Sequence, residues 1–436
     1  MTRMVQHSLM LLALVAVILV GGVSAASADL RQIVMFAEET PLAVQQQVVA
    51  LSGSTVLNNL SLITALAVLT NDQGLAFLES KVQGVCNPLL DLLCVVAGVY
   101  DDVLTFIDPI CPTTAPPSTP ETYRWGPQQI EVPAVDQQWP KIKGSAAVTV
   151  AVLDTGIAYH PELSGRIAPG YNAITMGQPA DGHGHGTHMA GIITAAKNQL
   201  GMIGVAGVEP SIKVAAVKVL DDNGAGYLSG VIDGMRWVFD NDIPLVNMSF
   251  GFSFSKQSDN TPLMKAVQKL YKAGIIMVAA AGNRCPASTA TEDGGGESCG
   301  PSASCSAPLT AVTYPAAYRA WVIAVGATDV QNKIPAYSLS GPELAVVAPG
   351  GAPASGAPDN GQILSTNTGG VYGRGHGTSH AAAHVTGAAA LALQRQPWLT
   401  PDQMRDLLEQ SAVKLPSYSS NQQGAGRIDV KNMLLP

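Results

Sequence analysis

The stretch "VTVAVLD", residues 148–154, decides the fold of this chain. A continuous run of apolar and β-branched residues predicts a strand that is buried on both faces, as strands of parallel sheets are. Similar runs follow at intervals along the sequence: "KVAAVKVL" (213–220), "PLVNMS" (244–249), "IIMVAAAG" (275–282) and "WVIAVGA" (321–327). Amphipathic segments separate them, so the pattern predicts an α/β domain with a mostly parallel central sheet and helices on both faces.

Polar residues at the carboxyl ends of such strands are the first place to look for chemistry. Asp154 directly follows the first strand. Taken alone, it is a common type of turn residue. Ser379 stands at the start of the Ala-rich helical segment "HAAAHVTGAAALALQRQ", where unpaired N–H groups and the helix dipole favour a developing negative charge. Taken alone, it is an ordinary helix-capping serine.

Histidines are concentrated in two short stretches. Six of the eight lie in "DGHGHGTHMAG" (181–191) and "HGTSHAAAH" (376–384). Three neighbouring imidazoles are potential zinc ligands, but neither stretch has the ligand spacing of a zinc site. In the other interpretation, the glycines hold one histidine in a fixed pose as a proton carrier, and the rest are supporting residues.

The separate elements gain meaning together. A serine hydroxyl needs a neighbouring base, and an imidazole base needs a carboxylate that fixes its tautomer. Asp154, a histidine of the first stretch and Ser379 supply these groups, in that chain order. Asn283 ends the run "AAAGN" and offers an amide to the oxyanion of a tetrahedral intermediate.

Five motifs in this order resemble the subtilisin-like serine proteases, the subtilases: "VAVLDTGI", "HGTHMAG", "NMSFG", "AAAGN" and "GTSHAAAHVTG". The resemblance covers about residues 123–430. It implies a subtilisin-like three-layer domain that cleaves polypeptides, with Asp154 as orienting acid, His185 as general base and acid, Ser379 as nucleophile and Asn283 as oxyanion donor. No cofactor is implied for the chemistry.

The resemblance also assigns the substrate-binding surface. Two edge strands would hold the substrate as an added strand, one through Gly224, Ala225 and Gly226 and the other through Ser249, Phe250 and Gly251. Tyr314-Pro315 matches a cis-prolyl turn. Thr313 lies at the expected base of the specificity pocket and Arg284 at its rim, which predicts a shallow P1 pocket that favours small or acidic side chains. His380 departs from the methionine that commonly follows the serine, and altered packing rather than lost catalysis is expected.

A structural calcium ion is a further implication. The matching positions are Glu121, Glu162 and Asn198, with the carbonyl groups of Ala196, Leu200 and Met202. Oxygen ligands of this kind suit calcium. The alternative is a solvated surface.

The N-terminal third divides into segments. Residues 1–28 have a basic residue, an apolar run and small residues ending "ASA", which predicts a cleaved secretory signal; an uncleaved membrane anchor is the alternative. Residues 29–108 read as a small α+β unit and resemble the inhibitory propeptide of the family. Residues 109–122 are rich in proline and predict an exposed linker and maturation region, and residues 123–436 form the peptidase domain.

Composition sets outer limits. The formal net charge of −8 and pI of about 5.4 argue against a nucleic-acid-binding surface. Export makes the six cysteines candidates for disulfides, whose pairing stays open. We expect a secreted or otherwise extracytoplasmic monomer that contacts a membrane only if the N-terminal segment is retained. Its own residues 29–108 would be the intramolecular inhibitor.

Two alternative functions belong to other classes. A metal-dependent hydrolase would use the histidine clusters as ligands. A catalytically inactive homologue would bind peptides without cutting them, and the unusual "HAAAH" sequence around the serine keeps that possibility open.

Overall fold

The computed structural model describes residues 30–83, 94–107, 111–113, 121–255, 260–284, 311–352 and 361–435. The predicted signal, residues 1–28, and the cysteine-bearing stretch 285–308 lie outside these ranges. Within the described ranges, no helix combines the length and the apolar character needed to cross a bilayer.

The N-terminal unit is a small antiparallel sheet with two helices, in agreement with the α+β architecture expected from its sequence. Its elements are β1 (Leu30–Phe36), α1 (Leu42–Leu51), β2 (Thr55–Leu60), β3 (Ala65–Thr70), α2 (Asp72–Ser80) and β4 (Val96–Asp101). The strands lie in the order β2-β3-β1-β4. Helix α2 begins after Asn71, whose side chain accepts a hydrogen bond from the backbone of Gly74. Cys94, just before β4, is buried and disulfide-bonded.

Two short strands follow β4 and pair with strands that come later in the chain. They are β5 (Leu104–Phe106) and β6 (Cys111–Thr113). The second lies within residues 109–122, the segment that the sequence analysis assigns to the linker. Pro112 is compatible with this strand because β6 is the edge of its three-stranded sheet, where a missing N–H is tolerated.

The larger unit follows. Its first half contains α3 (Trp125–Gln129), α4 (Val132–Ile142), β7 (Val148–Asp154), β8 (Ile167–Asn172), α5 (His185–Thr194), β9 (Ile212–Lys218), β10 (Ala225–Tyr227), α6 (Leu228–Asp240) and β11 (Leu245–Met248). Its second half contains α7 (Thr261–Lys272), β12 (Ile276–Ala280), β13 (Ile323–Thr328), β14 (Leu344–Pro349), β15 (Ile363–Thr366), β16 (Tyr372–Gly375), α8 (Thr378–Arg395), α9 (Pro401–Ser411), α10 (Ser420–Gln423) and α11 (Val430–Leu434).

The central sheet confirms the predicted fold class. Among the described residues, seven strands lie in the order β14-β13-β12-β11-β7-β9-β8, and every pairing between them is parallel. The chain builds the sheet outward from β7, first toward β9 and then toward β11. Strand order therefore reverses at β7, and the crevice at the carboxyl ends of these strands is where α/β sheets place their sites.

Each face of the sheet has its own core. Helices α5 and α8 cover one face, and α6 and α7 cover the other. Helix α8 is buried from Thr378 to Gln394, which explains its alanine content: small side chains let a helix lie against the sheet on nearly every side. A Cβ on Gly387 would come within 2.6 Å of the Val205 side chain, so the helix approaches its neighbours closely there.

The sheet of the N-terminal unit packs on α6 and α7. Ile33, Met35 and Leu62 share one apolar core with residues of these helices. Beside this contact, buried Asp102 accepts hydrogen bonds from the backbone N and the Oγ of Ser229, both at 2.8 Å, in the first turn of α6. The unit thereby completes the N-terminus of a helix in the larger unit.

Candidate active site

Asp154 and His185 form a buried hydrogen-bonded pair. Strand β7 delivers Asp154 to the sheet edge, and α5 begins at His185. The Nδ1 of His185 lies 2.8 Å and 2.9 Å from the two carboxylate oxygens of Asp154. An ionised carboxylate only accepts hydrogen bonds, so Nδ1 carries the proton and Nε2 presents its lone pair. The backbone N of Thr155 donates to the same carboxylate at 2.8 Å and fixes its orientation.

Asp181 fixes the loop that leads into His185. Its carboxylate accepts hydrogen bonds from the hydroxyls of Thr155 (2.9 Å) and Thr187 (2.6 Å). It also accepts from the backbone N of His183, Gly184 and Thr187, at 2.8–2.9 Å. One buried carboxylate thus joins the end of β7 to the first turn of α5.

Ser379 lies in the first turn of α8 and is 8% exposed. A chain of hydrogen bonds connects this turn to β11. The Oγ of Ser249 donates to the carbonyl oxygen of Ser379 (3.1 Å), and the Nδ2 of Asn247 donates to the Oγ of Ser249 (2.9 Å). The hydroxyl of Thr386, two turns further along α8, donates to the Oδ1 of Asn247 (2.9 Å).

The amide of Asn283 is oriented by the residue before the serine. Its Oδ1 accepts hydrogen bonds from the backbone N and the hydroxyl of Thr378, both at 3.0 Å. The Nδ2 group therefore faces the other way. A Cβ placed on Gly377 would lie 3.0 Å from this Nδ2 and 3.2 Å from the Oγ of Ser379, so both atoms border the same small space.

The chain's own β5 lies along one of the two expected substrate-binding strands. Strand β10, which contains Ala225 and Gly226, pairs antiparallel with Leu104–Phe106. The backbone N of Ile107 continues the ladder by donating to the carbonyl oxygen of Gly224 at 3.0 Å. A segment of this chain therefore already has the extended, edge-paired geometry of a bound peptide.

The second expected strand borders the predicted specificity pocket. Ser249 and Phe250 are buried, and the carbonyl oxygen of Gly251 accepts a hydrogen bond from the hydroxyl of Thr105 at 2.7 Å. A Cβ on Gly251 would come within 2.1 Å of the Thr313 Oγ1, and one on Gly282 within 2.8 Å of the same atom. Thr313 thus lies between the two backbones.

Two further features belong to the predicted pocket. The Tyr314-Pro315 peptide bond is cis, as the resemblance implies. Arg284 is exposed, one residue beyond Asn283.

Glu121, Glu162 and Asn198 also lie together, away from the crevice. Glu162 is fully buried: its Oε1 accepts hydrogen bonds from the backbone N of Met202 (2.8 Å) and the hydroxyl of Tyr372 (2.7 Å). Its Oε2 has no hydrogen-bond partner among the described residues. The backbone N of Asn198 donates to Glu121. Burial, and then the nearby Glu121, raise the pKa of the Glu162 carboxyl.

The remaining histidines have different surroundings from His185. His188 is fully buried inside α5, and His183 is half-buried with its ring 6.4 Å from that of His185. Among the described residues, no group of three or more His, Cys, Asp or Glu side chains has an arrangement that would hold a metal ion. The first histidine stretch is therefore not assembled as a zinc site.

A buried acid–imidazole pair at the end of a parallel strand, together with a serine in the first turn of a helix, is the set of groups that a serine hydrolase of α/β type requires. Comparison with known proteins narrows this class. The chain belongs to the subtilase family, whose family model matches residues 145–426. It is a serine endopeptidase of this family.

The relatives are similar over most of the chain. Subtilisin amylosacchariticus from Bacillus subtilis subsp. amylosacchariticus is 40% identical over 308 residues, which cover 70% of this chain and 70% of that protein. Subtilisin from Bacillus pumilus is 39% identical over 308 residues, covering 70% of this chain and 97% of that protein.

A solved structure shares the fold. Fervidolysin from Fervidobacterium pennivorans, described as a keratinolytic enzyme related to subtilisin, matches with a TM-score of 0.70 at 24% identity. The match covers 94% of this chain and 61% of that one, so this chain spans about three fifths of its length.

The sequence analysis assigned no role to Asn247 and Thr386, which the structure places in the hydrogen-bond chain to the serine turn. The link from Asn247 and Thr386 to the serine turn depends on the packing of α8 across β11, which no local pattern reveals. Both residues lie within the quoted motifs, and a polar residue in an otherwise apolar strand was the available signal.

Proposed function

We propose that this chain is an exported serine endopeptidase that hydrolyses peptide bonds through an acyl-enzyme and is made as a self-processing proenzyme. The observation that carries the proposal is the buried contact between His185 Nδ1 and both oxygens of Asp154, in a chain that also holds Ser379 in the first turn of α8. This contact prepares Nε2 of His185 to accept a proton.

The geometry supports a two-step acyl transfer. His185 takes the proton of the Ser379 hydroxyl while Oγ bonds to the scissile carbonyl carbon. The carbonyl electrons move to oxygen, and the resulting oxyanion receives hydrogen bonds from the Nδ2 of Asn283 and the backbone N–H of Ser379. Protonated His185 then gives its proton to the leaving amine. A water molecule, activated by the same imidazole, releases the acyl group and restores the serine.

Replacement of the nucleophile tests this assignment. Ser379→Ala should retain residues 29–108 and should not cleave casein, with a loss in kcat on the order of 10⁶, the value known for subtilisin itself. A Ser379→Ala protein that still processes itself and still cleaves casein, after purification from a protease-deficient host, overturns the proposal. Ser411→Ala is the matched control, because this serine lies at the end of α9 and hydrogen-bonds its own helix.

The N-terminal unit is proposed as the intramolecular inhibitor. Support comes from β5, which lies on β10 where a substrate strand is expected, and from Asp102, which caps α6. The boundary expected after Asp108 falls outside the described residues. N-terminal sequencing of the mature protein, alone and after co-expression of Ser379→Ala with the active chain, would locate the processed bond and show whether processing is intramolecular.

A shallow P1 pocket for small or acidic side chains remains part of the proposal. It is supported by Thr313, whose side chain fills the space beside Gly251 and Gly282, and by the exposed cation of Arg284. Peptide-library profiling should give a preference for small or acidic P1 residues, and Thr313→Gly should shift it toward larger ones. A preference of the parent enzyme for Phe or Leu contradicts this part.

A structural calcium ion is proposed at Glu121, Glu162 and Asn198. The buried Oε2 of Glu162 has no hydrogen-bond partner among the described residues, so it could bind a cation. The raised pKa of this carboxyl means that ionising Glu162 in the folded protein destabilises the fold when no cation is bound. This loss of stability begins as pH rises above 4.5, the ordinary pKa of a glutamate, because the unfolded chain then releases the proton more readily than the folded protein does. EDTA should therefore lower Tm, and by more at pH 8 than at pH 5. An unchanged Tm at pH 8 contradicts the site.

Export rests on the sequence of residues 1–28. A relative named minor extracellular protease Epr, from Bacillus subtilis, is 36% identical over 310 residues, covering 71% of this chain and 41% of that protein. Mass spectrometry of the protein recovered from culture medium would test export, and an intact N-terminus found only in membranes would favour the anchor.

A further inference from the structure

His380, the residue after the nucleophile, is a buried polar side chain without a local partner. It is 2% exposed, and neither ring nitrogen has a hydrogen-bond partner among the described residues. An unpaired buried donor destabilises the folded state, so a native fold that retains one calls for an explanation, such as a role in catalysis. His384, one turn later in α8, differs: its Nδ1 bonds to the carbonyl oxygen of His380 at 2.9 Å.

The position of His380 connects it to the reacting groups. Its ring centroid lies 6.5 Å from that of His185, with the two ring planes nearly perpendicular at 79°. A Cβ placed on Gly377 would be 3.6 Å from the Nδ1 of His380, in addition to its short distances to Asn283 and Ser379. The small space beside Gly377 is therefore bordered by the Nδ2 of Asn283, the Oγ of Ser379 and the Nδ1 of His380.

The ring is also in a suitable state to donate. Burial, and then the neighbouring His188 and His185, hold the pKa of the His380 imidazole well below its usual value. A neutral imidazole keeps one N–H donor without placing a second positive charge beside His185, which itself becomes protonated during the reaction.

We propose that His380 is a third hydrogen-bond donor to the oxyanion, with its Nδ1–H acting beside the Nδ2 of Asn283. This inference rests on the proposed acyl transfer. As the bond from Ser379 Oγ to the carbonyl carbon forms, the negative charge on the carbonyl oxygen draws a hydrogen bond from Nδ1–H. No proton leaves His380. The bond is released when the carbonyl re-forms and the amine departs.

The test compares His380→Met, which removes the donor, with His380→Gln, which keeps an N–H donor on a side chain of similar length. Mature enzyme is quantified by titration of active serines, and kcat and KM are measured on a peptide anilide. His380→Met should lower kcat at least about tenfold with KM nearly unchanged, because oxyanion donors act chiefly in the transition state. His380→Gln should recover part of that loss.

Inhibitors separate the oxyanion contact from a general packing role. A peptide aldehyde forms a tetrahedral adduct with the serine, whereas the matching peptide alcohol binds without one. The ratio of their inhibition constants should change in His380→Met by the same factor as kcat. His384→Gln, one turn further along α8, is the matched control and should leave the ratio unchanged.

The outcomes are distinguishable from failure of the proposed function. If the parent enzyme fails to cleave peptides, the proposed function itself is wrong. If the parent is active, two results overturn the role of His380: a kcat in His380→Met equal to that of the parent, or a loss of kcat with an unchanged ratio of inhibition constants. A loss confined to KM does the same.

Discussion

The two histidine stretches of this protein have similar composition but different environments. In residues 181–188, the loop is held by Asp181, and the ring of His185 is held by Asp154. In residues 376–384, the helix α8 supplies rigidity, while the ring nitrogens of His380 have no hydrogen-bond partner among the described residues. The role of each imidazole therefore follows from the groups that hydrogen-bond to its ring nitrogens. Only the ring with a buried carboxylate on one nitrogen is prepared to exchange protons at the other.

The largest expected effect comes from removing the paired ring. His185→Ala should lower kcat on the order of 10⁶, the loss known for the corresponding change in subtilisin, because Ser379 then lacks a base. Turnover of a peptide anilide by titrated enzyme measures it, with thermal unfolding as the control for folding. Activity within a hundredfold of the parent would show that another histidine serves as base, and the distinction between the two stretches would fail.

A second change removes the carboxylate that holds the first loop. Asp181→Ala should destabilise the protein by about 2–4 kcal/mol, because two hydroxyls and three backbone N–H groups lose their acceptor. Denaturant unfolding of the Ser379→Ala background, in which self-digestion is absent, measures the difference. An unchanged unfolding midpoint contradicts the supporting role of Asp181.

Acid should lower the free energy of unfolding through His384, in the second histidine stretch. Burial lowers the pKa of His384 to about 4, against an ordinary value of 6.5. Between these values the unfolded chain binds a proton that the folded chain does not, so stability falls as pH is lowered from 6.5 toward 4, by about 3 kcal/mol at most. His384→Gln should make this part of the stability profile less steep, as followed by unfolding at several pH values; His160, whose pKa burial also lowers, keeps part of the slope. An unchanged slope would show that the ring does not stay neutral.

The smallest effect is expected for His183. Its ring is half-buried near Gly224, and burial lowers its pKa, so it is neutral at pH 7 and its removal changes no charge. His183→Ala should retain kcat/KM within about threefold, since the hydrogen bond from its backbone N to Asp181 remains. A loss of kcat/KM above a hundredfold would show that His183 and His185 act together, and that the His185–Asp154 pair alone does not account for the function of the first stretch.

Sequence reasoning located the interior of the fold better than its edges. The continuous apolar runs at 148–153 and 275–282 became β7 and β12, because burial on both faces leaves a strong signal. Strands such as β6, β8 and β16 were not predicted. Their sequences, "CPT", "IAPGYN" and "YGRG", contain proline and glycine, and their conformation depends on pairing with a distant neighbour.

In the site, too, some residues have a clear sequence signal and others depend on contacts between distant parts of the chain. Asp154, His185 and Ser379 were identifiable because the chemistry requires those side chains and the motifs carry them in order. The five-fold acceptor role of Asp181 and the missing partners of His380 were not, since they depend on which atoms the fold brings together. The roles assigned to the catalytic, substrate-binding and calcium-binding residues stay predictions.

The hydrogen bonds from Asn247 and Ser249 to α8 have a consequence for how this domain tolerates variation. They tie the turn that holds Ser379, the proposed nucleophile, to strand β11, through Ser249 Oγ to the carbonyl of Ser379 and through Thr386 to Asn247. These buried contacts hold the serine turn against the sheet without involving a surface loop. A chain organised in this way can carry the long Gly- and Ser-rich stretch that begins after Arg284, one residue beyond Asn283, while the spacing of its reactive groups is set elsewhere.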